Sequence, residues 1–299
     1  MRLSCVAIGS NAIRMLSAEW DGEKLCGILR ERRGTRLFAG LKNGYLTEES
    51  MQSSVDAVAE LAGLARQSGA QETFLFATSA ARDAANGAEF AERCRAACGV
   101  SPEIITGEEE ARLSFLGACG CGRCGVIDIG GGSTEFTTGE DGIPGRAISL
   151  QMGAVRYSRL ESVTDGASYD RARERAMALI LDEAPGWYTD AADRIWTGVG
   201  GTMTTLGAMQ RGIPLFDPDS CEGMGMTRRE VAAWGRKLAV MPMEERRHTT
   251  GLMPHRADII PAGIAILDAA MSVFSIGVLR LSAQGNMDGY LKKKFREIG

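Results

Sequence analysis

Residues 126–136 read VIDIGGGSTEF, and their reading decides the fold. A short apolar run ends on Asp128. Three glycines follow, Gly130, Gly131 and Gly132, and then Ser133, Thr134 and Glu135. Bare glycine backbone lets a ligand approach closely, and successive N–H groups in such a loop form a nest for an anion. A fainter copy stands at residues 6–15, VAIGSNAIRM, where Ala7 occupies the place of the aspartate. In both copies a polar, strand-like segment follows the glycines. In a dinucleotide-binding fold the glycine turn opens a helix instead, so that fold is disfavoured. The echo predicts two similar domains facing each other across a cleft.

The chain has 299 residues, comfortable for two domains. Apolar residues make up 44% and charged residues 24%, as in an ordinary globular protein. No apolar run suits a bilayer span, and MRLSCVAIGS has no stretch of signal-peptide length, so a cytoplasmic protein without a membrane partner is expected. A net charge of −4 gives no global pull toward nucleic acid polymers; any anion site must be a local cluster. There are eight cysteines, five of them between Cys94 and Cys124. Cys119, Cys121 and Cys124 offer only three ligands, short of a four-ligand zinc spacing, so reduced thiols are the simpler reading.

Strands are expected over 3–8 and 25–30, with WDGE (20–23) as a hairpin turn between them. LTEESMQSSVDAVAELAGLARQSG (46–69) predicts an amphipathic helix. Thr47 can cap it, Glu48 and Glu49 suit its N-terminal dipole, Val55, Val58, Leu61 and Leu64 form a stripe, and Gly69 stops it. TFLFAT (73–78) and PEIIT (102–106) read as strands, AEFAERCRAAC (88–98) and GEEEARLSFLGA (107–118) as helices. In the second half, helices are expected at 171–183 and 228–240, and IWTGVGGTMTTLGAM (195–209) reads as strand, glycine loop, helix. A long apolar helix contains Pro261 in its first turn, VLRLSA (278–283) is a last strand, and GYLKKKF (289–295) a closing basic helix. The alternation gives an α/β class, with domains at 1–117 plus 284–299 and at 118–283.

Three glycine loops each follow an apolar strand: Gly9-Ser10-Asn11, Gly130 to Thr134, and Gly198-Val199-Gly200-Gly201-Thr202. One would be a turn; three argue for phosphate binding. Asp128, beside such a nest, suits Mg²⁺, which prefers oxygen ligands and bridges to phosphate. Glu108 to Glu110, taken alone, read as a solvated first helical turn.

VIDIGGGSTE, ITGEEEARL (105–113), GSNxxR (9–14), MGAVR (152–156), GVGGTMTTL (198–206) and PHRADIIPAG (254–263) together resemble the exopolyphosphatase and guanosine pentaphosphate phosphohydrolase family. The match runs in order from about Cys5 to Gly289. The resemblance implies an actin-like two-domain fold, in a short form without extra helical domains. It implies Mg²⁺-dependent removal of terminal phosphate from inorganic polyphosphate, or of the 5′ γ-phosphate from guanosine pentaphosphate. It assigns Glu110 as general base, Asp128 and Glu135 as metal-associated acids, and Arg14, Arg82 and Arg256 as phosphate ligands. Ser10, Asn11, Gly130 to Thr134, and Gly200, Gly201 and Thr202 are the expected phosphate-binding loop residues. RERRGTR (30–36) and the lysines 292–294 either guide a polyanion or form solvated faces. A two-fold homodimer is the commonest soluble assembly.

Two stretches depart from the family pattern. Aspartate is usual where Ala7 stands, and GLREG is common where residues 285–289 read GNMDG, so Met287 replaces an arginine. These losses keep open a second reading, a weakened member that binds polyphosphate or guanosine tetra- or pentaphosphate as a sensor. A third is an actin-like kinase or ATPase whose last glycine loop holds adenosine.

Overall fold

A computed structural model describes residues 1–22, 24–187, 193–214 and 217–298. The chain divides into two compact units, Met1–Gly117 with Asn286–Gly299, and Ala118–Gly285. In chain order the first unit contains β1 (Arg2–Ile8), β2 (Ile13–Trp20), β3 (Leu25–Arg33), the short strands β4 (Leu41–Lys42) and β5 (Tyr45–Leu46), and α1 (Glu48–Gln67). Then come β6 (Glu72–Ala77), α2 (Ser79–Arg82), α3 (Gly87–Cys98), β7 (Glu103–Ile104) and α4 (Gly107–Ala118). The second unit follows with β8 (Arg123–Ile129), β9 (Thr134–Glu140), β10 (Ile143–Leu150), α5 (Ala154–Leu160), α6 (Gly166–Glu183), β11 (Ile195–Val199) and α7 (Gly201–Arg211). It ends with β12 (Gly225–Thr227), α8 (Arg228–Val240), α9 (Met243–Arg247), α10 (Ile260–Val273) and β13 (Val278–Leu281), before α11 (Asn286–Ile298) returns to the first unit.

The first sheet has the order β3-β2-β1-β6-β7, the second β10-β9-β8-β11-β13-β12. In each, three antiparallel strands lead and two more join in parallel: β1 with β6 and β6 with β7, then β8 with β11 and β11 with β13, the second sheet adding β12 antiparallel to β13. This shared order is the repeat foreshadowed by the two glycine stretches, and it is the actin-like α/β fold. One expectation needs correction. The turn at Asp21 joins β2 to β3, with Asp21 N donating to Lys24 O at 3.2 Å, and β2 itself lies between the two strands expected at 3–8 and 25–30. Glu23 of that turn lies outside the described residues. The strand expected over PEIIT is only Glu103–Ile104.

Local chemistry sets the helix ends. Thr47 Oγ1 accepts from Ser50 N at the start of α1, and Gly69 takes φ +82° just past its end. Pro261 lies in the first turn of α10, where its missing N–H costs nothing. That helix is buried nearly all round, packed against α5, α6 and α8. Its one acid, Asp268, is neutralised by Arg173 at 3.0 Å and Arg228 at 3.1 Å. No helix among the described residues is long and apolar enough to cross a membrane.

The first unit's core decides where its polar groups can sit. Leu3, Cys5 and Ala7 alternate along β1 and face one apolar cluster with Met287, Tyr290, Leu291 and Phe295 of α11. The Tyr290 ring stacks on Phe76, centroids 4.7 Å apart, and burial raises the Tyr290 phenol's pKa. At Gly289 the backbone of α11 presses on α4 so closely that an added Cβ would lie 1.9 Å from the Leu113 carbonyl oxygen. Gly289→Ala is therefore expected to cost about 1–3 kcal/mol through overpacking. Chemical denaturation checks this; an unchanged midpoint would mean that the two helices can separate freely.

Candidate functional site

The first unit presents polar groups at the ends of β1, β6 and α4. The turn after β1 is closed by Gly9 N donating to Ala12 O at 3.1 Å. Ser10 Oγ lies 2.8 Å from Ser79 Oγ at the start of α2, tying the glycine turn to that helix. Asn11 is only 8% exposed, yet neither atom of its amide has a protein partner among the described residues. A buried amide ordinarily bonds on both ends, so this one offers a donor and an acceptor to a ligand.

The three glutamates opening α4 meet three different fates, because each residue turns the helix by about 100°. Glu108 is exposed and pairs with Arg112 at 3.3 Å, and Glu109 pairs with Lys293 of α11 at 3.2 Å. Glu110 points inward and is 6% exposed. Arg82 Nη1 donates to its Oε2 at 3.4 Å, and Asn286 Nδ2 donates to its Oε1 at 3.4 Å. Arg82 also donates to Ile105 O at 3.0 Å, while its Nη2 is buried with no protein partner among the described residues. Arg82 thus reaches inward to Glu110 and Ile105, and Glu89 pairs with Arg93.

Arg14 Nη2 donates to Asn286 Oδ1 at 3.1 Å. Across the β2–β3 ladder, Arg14 stands opposite Arg32. Burial, and then the charge of Arg14, lowers the Arg32 pKa to about 10. Two guanidiniums so placed repel each other and favour an anion nearby. Much of the remaining basic sequence is already engaged. Arg30 pairs with Asp288, and Arg33 with Glu31 and Glu60. Lys292 bonds the last carbonyls of α4, at Leu116 and Gly117, and Lys294 bonds Glu297.

In the second unit the loop after β8 has its carbonyls tied to the start of α5. Gly130 O accepts from Ala154 N at 3.0 Å, and Gly131 O from Val155 N and Arg156 N at 2.9 and 3.0 Å. Gly132 O accepts from Arg156 Nε at 2.6 Å. In a planar trans peptide the N–H points opposite to the carbonyl, so the N–H groups of Gly131, Gly132 and Ser133 turn away from α5. Successive N–H groups turned to one side are the arrangement of an anion nest. Thr134 Oγ1 donates to Met152 O at 2.5 Å, so its hydroxyl anchors the loop.

Asp128 and Glu135 are register partners on β8 and β9, both buried, with their side chains on one face of the sheet. Ser149 donates to Glu135 Oε1 at 2.7 Å. Asp128 is also level with Val199 on β11. There Gly200 takes φ +92°, and an added Cβ would lie 2.7 Å from Asp128 Oδ1. Helix α7 then begins at Gly201, whose N–H end carries the positive pole. The Arg256 guanidinium lies against Gly201, 2.4 Å from where a Cβ would stand. Thr202 is fully buried and its Oγ1 has no protein partner among the described residues. Asp128, Gly200, Gly201 and Arg256 therefore come together, with Thr202 next along the helix.

Residues 17–297 match the model of the Ppx/GppA phosphatase family, and the chain belongs to that family. It is 31% identical over 284 residues to exopolyphosphatase 2 of Mycobacterium tuberculosis, covering 89% of each chain. It is 28% identical over 300 residues to the guanosine-5′-triphosphate,3′-diphosphate pyrophosphatase of Vibrio atlanticus, covering 96% of this chain and 58% of that one. Among solved structures, an exopolyphosphatase-like protein superposes with a TM-score of 0.91 at 27% identity over the whole of both chains. The Aquifex aeolicus family member gives 0.82 at 27% identity, covering 100% of this chain and 99% of that one.

Sequence reading missed Ser79, Arg156 as the brace of the glycine loop, and Asn286. A signal for Asn286 existed: it stands in GNMDG, where the family pattern breaks. Ala7 and Met287, the two lost charged positions, fall in one apolar cluster of the first unit.

Proposed function

We propose that this protein is a phosphoanhydride hydrolase. It would remove terminal phosphate from inorganic polyphosphate or the 5′ γ-phosphate from guanosine pentaphosphate, with Glu110 as general base. One observation carries the reading: a buried carboxylate, Glu110, has each oxygen held by a nitrogen donor, on Arg82 and on Asn286. The names of the relatives, an exopolyphosphatase and a pyrophosphatase, support the substrate class.

Phosphoryl transfer to water needs a positioned water and compensation of charge more than covalent chemistry. A carboxylate accepts through two oxygens with several lone pairs, and Glu110 in this role would take a proton from water. The water oxygen forms the new P–O bond, its proton passes to Glu110, and the anhydride oxygen leaves with the shortened chain. Arg82 Nη2, the Asn11 amide and Arg14 supply donors in the first unit. The N–H groups of Gly131, Gly132 and Ser133, the start of α7 and Arg256 supply them in the second.

The acids of the second unit fit Mg²⁺. Asp128 and Glu135 present only oxygen donors, and two carboxylates opposed across one ladder repel unless a cation lies near. Bound Mg²⁺ would neutralise charge on the phosphates and on the departing oxygen. The sensor reading rested on the lost charges at residues 7 and 287. Their burial in one apolar cluster supports hydrolysis over the sensor, because neither site then serves ligand chemistry.

The test is phosphate release from polyphosphate and from guanosine pentaphosphate, with Mg²⁺ and with chelator. Asp128→Asn is expected to raise the Mg²⁺ concentration for half-maximal rate by at least about tenfold. Tight binding of either compound without phosphate release would replace this reading with the sensor.

A further inference from the structure

We propose that Asn286 is a positioning residue for Glu110, setting the orientation and proton affinity of that carboxylate. The proposal rests on the reading of Glu110 as general base. Asn286 opens α11 and is 4% exposed. Its Nδ2 donates to Glu110 Oε1 at 3.4 Å, and its Oδ1 accepts from Arg14 Nη2 at 3.1 Å.

The chemistry of the partners fixes which way the amide points. A guanidinium can only donate, and an ionised carboxylate can only accept. Asn286 must therefore turn its oxygen to Arg14 and its nitrogen to Glu110. A flipped amide would set donor against donor and acceptor against acceptor. Leucine, the residue of the GLREG pattern at this position, can satisfy neither partner. Aspartate could satisfy Arg14 but would repel Glu110. An amide at residue 286 thus couples the base to an arginine in a way that pattern does not provide.

The position itself is rigid. Cys5 Sγ donates to Met287 O at 3.7 Å, and Gly289 is jammed against Leu113 O one helical turn into α11. The amide therefore reaches Glu110 from a fixed base, as a positioning group must. Arg82 on α2 bonds Glu110 directly, and Arg14 on β2 acts through the amide. On α11, Lys293 is paired with Glu109, and Asp288 is paired with Arg30 of β3. Asn286 bonds one Glu110 oxygen and Arg82 the other.

The experiment follows the Glu110 carboxyl carbon by ¹³C NMR as pH is varied, its signal assigned by its loss in Glu110→Gln. In Asn286→Leu the midpoint should rise by about one unit, since a donor to the charged form is gone. In Asn286→Asp, which keeps the size and the acceptor for Arg14, it should rise further. The same variants should lower kcat for phosphate release about tenfold with KM within twofold, and move the acid limb of the rate profile upward in the same order. A merely structural role would lower thermal stability but leave the midpoint and the limb in place. An unmoved Glu110 midpoint in both variants would overturn the proposal. The titration decides this whether or not the parent turns over. Absence of phosphate release from the parent would instead remove the hydrolase reading.

Discussion

Glu110→Gln should lower kcat for phosphate release by about 10²–10⁴-fold, the span typical of a lost general base, while KM changes little. The substitution keeps shape and removes basicity. Its structural cost should be small but visible. Both Glu110 oxygens face donors, Asn286 Nδ2 and Arg82 Nη1. A glutamine offers an acceptor at one end only, so its NH₂ must oppose one of them. The Asn286 amide cannot flip to relieve this, because its oxygen already accepts from Arg14. One mismatched buried hydrogen bond costs about 1–3 kcal/mol. Steady-state kinetics on polyphosphate and denaturant unfolding check the two parts. A kcat within twofold of the parent would sink the assignment of Glu110, whatever the stability shows.

The fold was legible because its signals are local. VIDIGGGSTEF and VAIGSNAIRM each encode strand, tight turn and strand within about a dozen residues, and each opens a sheet of the same order. The third glycine loop was equally plain, since β11, Gly200 and α7 follow one another directly. The site was legible only in part. Nothing in GEEEAR tells which glutamate is buried; that depends on how α4 rolls against α2 and α11. Burial then separates Glu110 from Glu108 and Glu109. Asn286 was not legible at all as a partner of Glu110, since 176 residues separate them. Its role exists only once α11 returns to the first unit. The basic run at 30–36 shows the same dependence on distant partners: the acids paired with Arg33 and Arg30, Glu60 and Asp288, lie on α1 and α11.

Ala7 shows how a departure from a pattern reads differently once its surroundings are known. From sequence it is a missing acid, whose restoration suggests restored catalysis. In the structure Ala7 is 1% exposed, and its side chain faces α11 within the cluster that holds Cys5, Met287 and Tyr290. The acid lost at 7 and the arginine lost at 287 are thus neighbours in one core. Exchanging a buried ion pair for well-packed apolar residues is commonly neutral or stabilising, whereas one charge without its partner is costly. Ala7→Asp alone should therefore destabilise the first unit by about 3–5 kcal/mol, lowering the melting temperature on the order of 10 °C. It should not raise turnover. Met287→Arg alone should do comparable damage, because its guanidinium would enter the same apolar space. The double variant should be far better than the sum of the two, with a favourable coupling of at least about 2 kcal/mol in a double-mutant cycle. Thermal and denaturant unfolding of the four proteins measures this. If Ala7→Asp by itself were as stable as the parent and faster in phosphate release, residue 7 would belong to the reaction after all, and the two departures would have to be explained separately.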